Sequence, residues 1–296
     1  DVLLFGTLRN EKPRLPYFLD YYRKLGVGHF LFVDNGSDDG TAEYLAQQPD
    51  VSVWQTTHSY RRSNFGVDWL NWLLARHGTG HWCLTVDADE FFVYPFCDTR
   101  PIQALTDWLD NCGLRTFPAM LLDMYPRGPV QQAHCAEGQN PFEVLEYFDA
   151  GNYMISRNPK YGNLWIQGGP RARTFFAGEP AKAPALNKIP LVKWRRGYVY
   201  VSSTHSLLPR GLNNTYETNG GEKPSGVLLH AKFLAAFNAR AAEEAARAEH
   251  YMGAAEYKAY SEKLARGTTL WTRFSEKFIN WRQLEVLGLM SKGNWI

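Results

Sequence analysis

Residues 2–41 have the sequence VLLFGTLRNEKPRLPYFLDYYRKLGVGHFLFVDNGSDDGT, and this stretch decides the fold. Two apolar runs in it, Val2–Phe5 and His29–Val33, have the composition of buried strands. Between them, residues 13–25 are predicted to form a helix, with Pro at its start and Gly26 just past its end. Strand, helix and strand in this order predict a βαβ unit and a parallel sheet.

The alternation of strand-like and helix-like segments continues as far as Val86. It predicts a helix, a strand, a helix and a strand at residues 41–47, 51–54, 65–76 and 82–86. Beyond residue 100 we expect helices at 102–109, 233–251, 254–265 and 271–289, strands at 116–124, 186–194, 198–202 and 227–230, and loops over most of 126–184. The predicted fold class is α/β, with a Rossmann-like mixed sheet flanked by helices and a C-terminal helical extension.

Composition sets the broad class of the protein. The chain has 296 residues and a formal charge of +2, which is too small to indicate a nucleic-acid-binding protein. Its 10 Trp, 16 Tyr and 17 Phe side chains suit both a core and a sugar site, since aromatic faces stack on pyranose rings. The four cysteines have no CxxC or zinc-like spacing, so a reducing compartment is favoured, with disulfides left open. No apolar run has transmembrane length, and the chain opens without Met, so one domain of a longer protein is expected.

An acidic triplet, Asp87, Asp89 and Glu90, follows the apolar strand at 82–86. Residues two apart on an extended chain face the same way, so Asp87 and Asp89 can converge on one ligand. Ligands of open α/β sheets bind beyond the carboxyl ends of the strands, where this triplet falls. Two carboxylates beside a diphosphate need a cation between them, and Mg²⁺ or Mn²⁺ suits such oxygen ligands.

Two further polar loops are predicted at the same edge of the sheet. Residues 7–12 follow the first strand, and residues 34–41 follow the second. Gly36 and Gly40 permit tight turns in the second loop, where backbone N–H groups and Asp34 can recognise a nucleotide. Three adjacent strand ends thus present polar loops to one crevice.

These segments resemble family-2-like glycosyltransferases of the GT-A type. The resemblance is carried by RNEKPRLPYFLDYYRKLGVGHFLFVDNGSDDGT at 9–41 and by LTVDADEFF at 84–92. The segments GGPRAR (168–173), KIPLVKW (188–194), SSTH (202–205) and LLHAKF (228–233) resemble one bacterial branch found with capsule, lipopolysaccharide and exopolysaccharide genes. The resemblance implies a GT-A domain over 1–232, with a nucleotide-binding half (1–95) and an acceptor half (96–232), and a helical extension over 233–296 packed on it.

The resemblance also implies site residues. The nucleotide would be bound by residues of both loops, the acidic triplet and one later strand: Thr7, Arg9, Asn10, Glu11, Asp34, Asn35, Gly36, Asp87 and Lys188. Asn35 stands where the family has an acidic residue, which leaves the base open. The metal would be bound by Asp87, Asp89 and His230, with His205 as the alternative to His230.

The resemblance also implies inversion at the sugar, and such a transfer needs a group that takes the proton of the acceptor hydroxyl. The acidic pair that usually opens the acceptor-side helix of this family is not evident, so the base is unassigned; Asp123 is the first candidate, and Glu179 and His205 are the alternatives. Arg171 is the best of four basic residues, with Arg173, Lys188 and Lys193, to stabilise the departing diphosphate.

The sequence therefore predicts a metal-dependent glycosyltransferase of the hexosyltransferase type. Its donor would be a UDP-, GDP-, dTDP- or CMP-sugar and its acceptor a glycan or lipid-linked glycan, in the cytoplasm or at the inner face of the membrane. A basic amphipathic helix over 270–290 is expected to pack against the domain, and contact with a membrane surface is the alternative. A glycoside hydrolase, a non-catalytic carbohydrate- or nucleotide-binding module and a nucleotidyltransferase remain as alternative functions.

Overall fold

The computed structural model describes residues 1–216, 223–236, 260, 263 and 267–296. Its strands are β1 (Val2–Leu8), β2 (Val27–Asp34), β3 (Val51–Gln55), β4 (Trp82–Thr85), β5 (Glu90–Val93), β6 (Thr116–Asp123), β7 (Tyr147–Asp149), β8 (Tyr153–Arg157), β9 (Leu164–Gly168), β10 (Asn187–Lys193), β11 (Val199–Tyr200), β12 (Leu207–Leu208), β13 (Gly226–His230) and β14 (Ser275–Lys277). Its described α-helices are α1 (Leu15–Leu25), α2 (Thr41–Ala46), α3 (Val67–Leu73), α4 (Ile102–Asn111) and α5 (Trp281–Val286).

The centre of the molecule is a mixed sheet of eight strands. Their order is β3-β2-β1-β4-β10-β6-β13-β5. The pairs β1–β2, β1–β4, β2–β3 and β6–β13 are parallel, whereas β10 and β5 run antiparallel to their neighbours. Six strands therefore point one way and two point the other.

Successive strand residues point to opposite faces of the sheet, and here both sets are apolar. Helices therefore cover both faces. Leu4 and Leu84 pack in one apolar cluster with residues of α1 and α4, such as Phe18 and Leu105. Their sequence neighbours Phe5 and Cys83 lie in a second cluster with α3. Strands buried on both faces read as continuous apolar runs, as these do.

Helix α1 shows how the sequence sets these elements. Its buried residues, Leu15, Phe18, Leu19, Tyr22 and Leu25, recur at helical spacing and form one face. Gly26 ends the helix at a φ of 100°, a left-handed conformation that favours glycine.

The predicted elements of the first 125 residues are confirmed, with shifted ends. Strand β5 was not predicted, although it completes the sheet, and the β8–β9 hairpin lies in a stretch that we expected to be mostly loop. The helices predicted over 233–251 and 254–265 lie almost wholly outside the described residues.

The helix predicted over 271–289 is wrong. Strand β14 occupies 275–277 and pairs with β7, and the helix in this region covers only 281–286. This long-range pairing overrides the helical spacing of the aromatic residues. Within the described ranges, no helix is long and apolar enough to cross a membrane.

A candidate nucleotide and metal site

The sheet topology brings the predicted site residues to one edge. The carboxyl ends of β4, β6 and β13 carry the Asp87–Asp89 segment, Asp123 and His230. Since β10 runs the opposite way, its first residues lie at the same edge and include Lys188. Residues from distant parts of the sequence thus form one group.

The Asp87-Ala88-Asp89 segment connects β4, in the middle of the sheet, to β5, which is the last strand on one side. The segment runs along the edge where these strand ends lie. At one end of it, Asp87 Oδ2 lies 3.2 Å from Lys188 Nζ at the start of β10. At the other end, the N–H of Ala231, after β13, donates to the carbonyl of Asp89 at 2.7 Å. The two aspartates therefore contact different strands, and the Asp87 side chain is 55% exposed against 23% for Asp89.

Lys188 is a buried cation held by two carboxylates. Its Nζ lies 2.5 Å from Glu90 Oε1 as well as 3.2 Å from Asp87 Oδ2. Burial alone would lower the pKa of Lys188, but Asp87 and Glu90 outweigh burial, and the pKa is raised. The ammonium is therefore charged at neutral pH. Burial raises the pKa of Glu90, which is only 1% exposed, to about 7, and the charge of Lys188 opposes this rise.

A second chain of contacts runs from Asp89 through His230 and Asp123 to Arg171. His230 Nε2 lies 3.2 Å from Asp89 Oδ2, and His230 Nδ1 lies 2.7 Å from Asp123 Oδ1. The other oxygen of Asp123 accepts from Arg171 Nε at 2.7 Å. Burial raises the pKa of Asp123, but Arg171 and His230 outweigh burial and hold the pKa at about 2. Asp123 is therefore ionised, and both of its oxygens are engaged inside the protein.

The same contacts shift the pKa of His230. Burial lowers its pKa, but the neighbouring Asp89 and Asp123 outweigh burial, and the pKa is raised. A histidine whose Nδ1 donates to a carboxylate while its Nε2 faces another oxygen ligand has the arrangement of a metal-binding histidine with its supporting acid. Of the two predicted histidines, His230 is the one next to Asp89.

Arg14 belongs to this site and was not predicted. It precedes α1, and its Nη1 lies 3.5 Å from Asp89 Oδ2. A cavity of about 120 Å³, with a largely apolar lining that includes Tyr17 and Phe91, adjoins the site through Arg14 and Ala231. No local signal marks Arg14, because its contact with Asp89 depends on the tertiary fold.

Asp89 and His230 can provide only part of a metal's coordination. Among the residues described here, no group of three or more His, Cys, Asp or Glu side chains is arranged to hold a metal ion. Mg²⁺-type sites are commonly completed by substrate phosphates and water around one or two carboxylates. The donor set of Asp89 and His230, with Asp87 nearby, fits a cation that a diphosphate helps to bind.

The two predicted nucleotide loops are joined by hydrogen bonds. Asn10 N donates to Ser37 Oγ at 2.9 Å, and Asp38 N donates to Asn10 Oδ1 at 3.0 Å. Glu11 N donates to Thr41 Oγ1 at 2.9 Å. Loops 9–12 and 34–41 therefore form one surface at the ends of β1 and β2.

Charged and polar side chains fix the bends of this surface. Arg9 Nη1 donates to the carbonyls of Asn35 and Gly36 at 3.0 and 3.1 Å. Asp34 is 1% exposed and accepts from both the hydroxyl and the N–H of Ser37. Gly36 has a φ of 65°, which other residues rarely adopt.

Thr7 lies beside this surface, and Asn35 is part of it. Thr7 is on β1, and a Cβ added to Gly66 would come within 2.9 Å of its hydroxyl. Asn35 is buried, and its amide group donates to the carbonyls of Thr56 and His58 at 3.2 and 3.0 Å. Ligand contact by any residue of these loops stays a prediction.

His205 lies at the same edge, beside the start of β10. Its Nδ1 is 2.5 Å from the carbonyl of Asn187, the residue before Lys188. Burial lowers the pKa of His205 to about 4, and the charge of Lys188 adds to the lowering. The ring is therefore neutral at pH 7. It is not placed beside Asp89, the position that His230 occupies.

Three other candidate residues pair with side chains outside this group. Arg173 pairs with Asp149 and donates to the carbonyl of Leu270, which ties the C-terminal segment to the domain. Lys193 pairs with Asp110 at the opposite edge of the sheet. Glu179 is exposed and pairs with Lys182.

Several solved structures resemble this chain weakly. The chain shares 10% identity with a UDP-glucose pyrophosphorylase from Acinetobacter baumanii over 90% of this chain and 84% of that one, at a TM-score of 0.30. A protein assigned as a glucose-1-phosphate thymidylyltransferase from Bacillus anthracis has 9% identity over 90% of this chain and 84% of that one, at a TM-score of 0.33. A 4-diphosphocytidyl-2C-methyl-D-erythritol synthase has 16% identity over 47% of this chain and 67% of that one, at 0.27.

At these TM-scores, the likenesses establish no activity for this chain. No family model matches the sequence, and no curated protein matches it.

Proposed function

We propose that this chain is a metal-dependent glycosyltransferase of GT-A type that uses a nucleoside-diphosphate sugar. The observation that carries the proposal is the 3.2 Å contact between His230 Nε2 and Asp89 Oδ2, next to Asp87 and Lys188. This group lies at the edge of the sheet where the two joined loops also lie. A nucleotide on the loops would direct its diphosphate towards the acidic group.

In this proposal Asp89 and His230 hold Mn²⁺ or Mg²⁺, and Asp87 contacts the metal or the ribose. The bound ion would hold the diphosphate and offset its charge while the bond to the sugar breaks. Asp123 and Arg171 do not touch the substrate. Asp123 fixes the orientation of His230, and Arg171 keeps Asp123 ionised.

Two cations complete the electrostatics of the proposed site. Lys188 neutralises Glu90 and holds Asp87 in place. Arg14, which lies 3.5 Å from Asp89 and is 14% exposed, would place a guanidinium group beside an incoming phosphate. The positive charge of Arg14 favours the binding of an anionic group at this edge.

The nucleotide would lie on loops 9–12 and 34–41, which belong to the nucleotide-binding half over 1–95. Residues 96–232 would supply the acceptor side, including the β8–β9 hairpin. The acceptor would be a glycan or lipid-linked glycan hydroxyl, and inversion at the sugar is part of the proposal.

The first test is ligand-induced stabilisation with Mn²⁺ and a panel of UDP, GDP, dTDP and CMP. A nucleotide that binds only the native state, at a concentration of about 100 times its Kd, stabilises that state by about 2.7 kcal/mol. Such a stabilisation raises Tm by several degrees. We expect one nucleotide to act, in the presence of Mn²⁺ only, and Asp89→Asn to abolish the effect. Asp110→Asn, at the opposite edge of the sheet, is the matched control.

Product analysis separates transfer from the nucleotidyltransferase alternative. A glycosyltransferase releases a nucleoside diphosphate from a nucleotide sugar. A nucleotidyltransferase joins a nucleoside triphosphate to a sugar phosphate and releases pyrophosphate. Pyrophosphate release, or no stabilisation by any nucleotide, would contradict the proposal.

A further inference from the structure

The segment around His205 is attached to the start of β10. Ile189 N donates to the carbonyl of Thr204 at 2.8 Å, and His205 Nδ1 lies 2.5 Å from the carbonyl of Asn187. Lys188, between these two β10 residues, is the one that contacts Asp87. His205 is therefore positioned by the strand that also supports the proposed diphosphate site.

His205 is held in one orientation and one tautomer. Its main-chain N–H donates to the carbonyl of Ser202 at 2.9 Å, and its main-chain carbonyl accepts from Asn163 Nδ2 at 2.8 Å. A carbonyl oxygen can only accept, so Nδ1 carries the proton, and Nε2 of the neutral ring carries a lone pair. In the part of the chain that the structure describes, Nε2 makes no hydrogen bond and is not one of the buried side-chain atoms that lack a partner. Nε2 is thus available to accept a proton.

Trp165, on β9, lies beside this histidine. The two ring centroids are 6.1 Å apart, with an angle of 51° between the planes. The main chain of the next residue, Ile166, donates to Asn187 Oδ1 at 3.2 Å, so one asparagine anchors both the indole segment and the imidazole. Trp165 is half-buried, so part of its side chain is open to solvent. A flat apolar ring next to a hydrogen-bond acceptor suits a pyranose with its hydroxyl groups.

The other two candidates for the base are less suitable. Asp123 is 2% exposed, and its oxygens are taken by His230 and Arg171. Glu179 is exposed and pairs with Lys182. A general base must reach the proton that it removes, which favours a group with a free acceptor atom at the site.

We propose that Trp165 and His205 form the acceptor subsite, which binds a pyranose and deprotonates its attacking hydroxyl. This inference rests on the proposed glycosyl transfer. The hydroxyl oxygen forms the new bond to the anomeric carbon, and its proton passes to His205 Nε2. The bond from the anomeric carbon to the phosphate oxygen breaks, and its electron pair leaves with the nucleoside diphosphate.

The first experiment measures turnover of the nucleotide sugar by the wild type, His205→Gln and His205→Ala, with water as the acceptor. Loss of a general base lowers the rate by about 100-fold or more. Nucleotide affinity, measured by calorimetry, stays within about twofold of the wild type, because no donor contact is removed. Added imidazole restores part of the rate of His205→Ala, which a merely structural role would not allow.

The matched control is His29→Gln, which changes a histidine that contacts Ser52 and lies on β2 away from the site. Its turnover stays at the wild-type value. Unchanged turnover in His205→Gln, or no rescue by imidazole, overturns the role of His205. Failure of the wild type to bind any nucleotide instead contradicts the proposed function itself, so the two failures are distinguishable.

The second experiment uses methyl pyranosides of glucose, galactose, mannose and N-acetylglucosamine as acceptors. Trp165→Ala raises the KM for the accepted pyranoside by about tenfold, and Trp165→Phe raises it less, since a phenyl ring keeps a stacking face. Trp72→Ala, which removes an exposed indole on α3, is the control. An unchanged KM in Trp165→Ala, or rejection of every pyranoside by a wild type that hydrolyses the donor, overturns the subsite.

Discussion

His230 and Asp123 are register partners at the ends of two adjacent parallel strands, β13 and β6, and His230 Nδ1 lies 2.7 Å from Asp123 Oδ1. The hydrogen bond between their side chains therefore rests on the main-chain pairing of the sheet. This placement leaves His230 Nε2 directed at Asp89. The sheet itself thus orients the proposed metal ligand.

Asp123→Asn is expected to weaken Mn²⁺ binding by about 10- to 100-fold, the usual effect of removing a supporting carboxylate from a metal-binding histidine. The affinity is measured by electron paramagnetic resonance with the identified nucleotide present. Circular dichroism checks that the variant is folded, and Asp110→Asn serves as the control for a lost surface charge. Wild-type Mn²⁺ affinity in Asp123→Asn would exclude His230 as a metal ligand held by Asp123.

Lys188→Met leaves Glu90 buried without its cation. Breaking one side of a buried ion pair costs about 3–5 kcal/mol of unfolding free energy, whereas replacing both partners costs far less. We therefore expect Lys188→Met to be strongly destabilised and the double variant Lys188→Met, Glu90→Gln to regain most of the loss. Urea unfolding of the four proteins in this cycle gives the coupling, and additive effects would contradict the pairing.

The sheet edge was predictable because its signals are local. Asp34, Asp87 and Asp89 each follow an apolar run, and parallel strands end at a common edge. His230 was predicted on the same ground, as a residue at a strand end. The partners of these residues were not predictable, because the contacts of Arg14 with Asp89 and of Lys188 with Glu90 depend on the tertiary fold.

The missed elements lack a local signal. Strand β5 is short, and it becomes a strand by pairing with the distant β13. The β8–β9 hairpin carries exposed Met154 and Ile155, so its apolar pattern does not mark a buried face. Near the C-terminus, Phe278 and Trp281 fit a helical spacing, yet Phe278 packs on Phe148 next to a β pairing. Long-range contacts decide such segments.

Gly226→Ala is expected to destabilise the protein by about 1–3 kcal/mol through overpacking. Gly226 begins β13, and a Cβ there would lie 2.6 Å from the carbonyl oxygen of Val93 on β5, where main chain blocks relief. Gly128→Ala is the matched control, because its Cβ would meet nothing within 4 Å. The measurement is the free energy of unfolding in urea. Equal values for the two variants would contradict close packing of β13 against β5.

Arg23→Met tests the pH dependence of stability away from the site. Arg23 Nη2 lies 2.6 Å from Asp50 Oδ1, and its hydrogen bonds lower the pKa of that carboxyl below 3.8. A lowered pKa in the folded state adds stability that is present above pH 3.8 and is lost as the pH falls through the folded value. The pair is partly exposed, so the loss in Arg23→Met is about 1 kcal/mol or less at pH 7. This loss of stability should shrink below pH 3.8. A loss that is constant with pH would exclude the ion pair as the cause of the destabilisation.

Ser37→Ala tests whether the joined loops bind the nucleotide. The Ser37 hydroxyl donates to Asp34 and accepts from Asn10 N, so its removal frees loop 9–12 from loop 34–41 at this point. Each lost hydrogen bond is worth about 0.5–1.5 kcal/mol, so the nucleotide Kd should rise by about tenfold. Mn²⁺ binding without nucleotide should not change, because Asp89 and His230 are untouched. Calorimetry with the nucleotide identified in the panel measures the Kd, and Ser156→Ala on the exposed hairpin is the control. A Kd equal to that of Ser156→Ala would mean that the nucleotide does not depend on this surface.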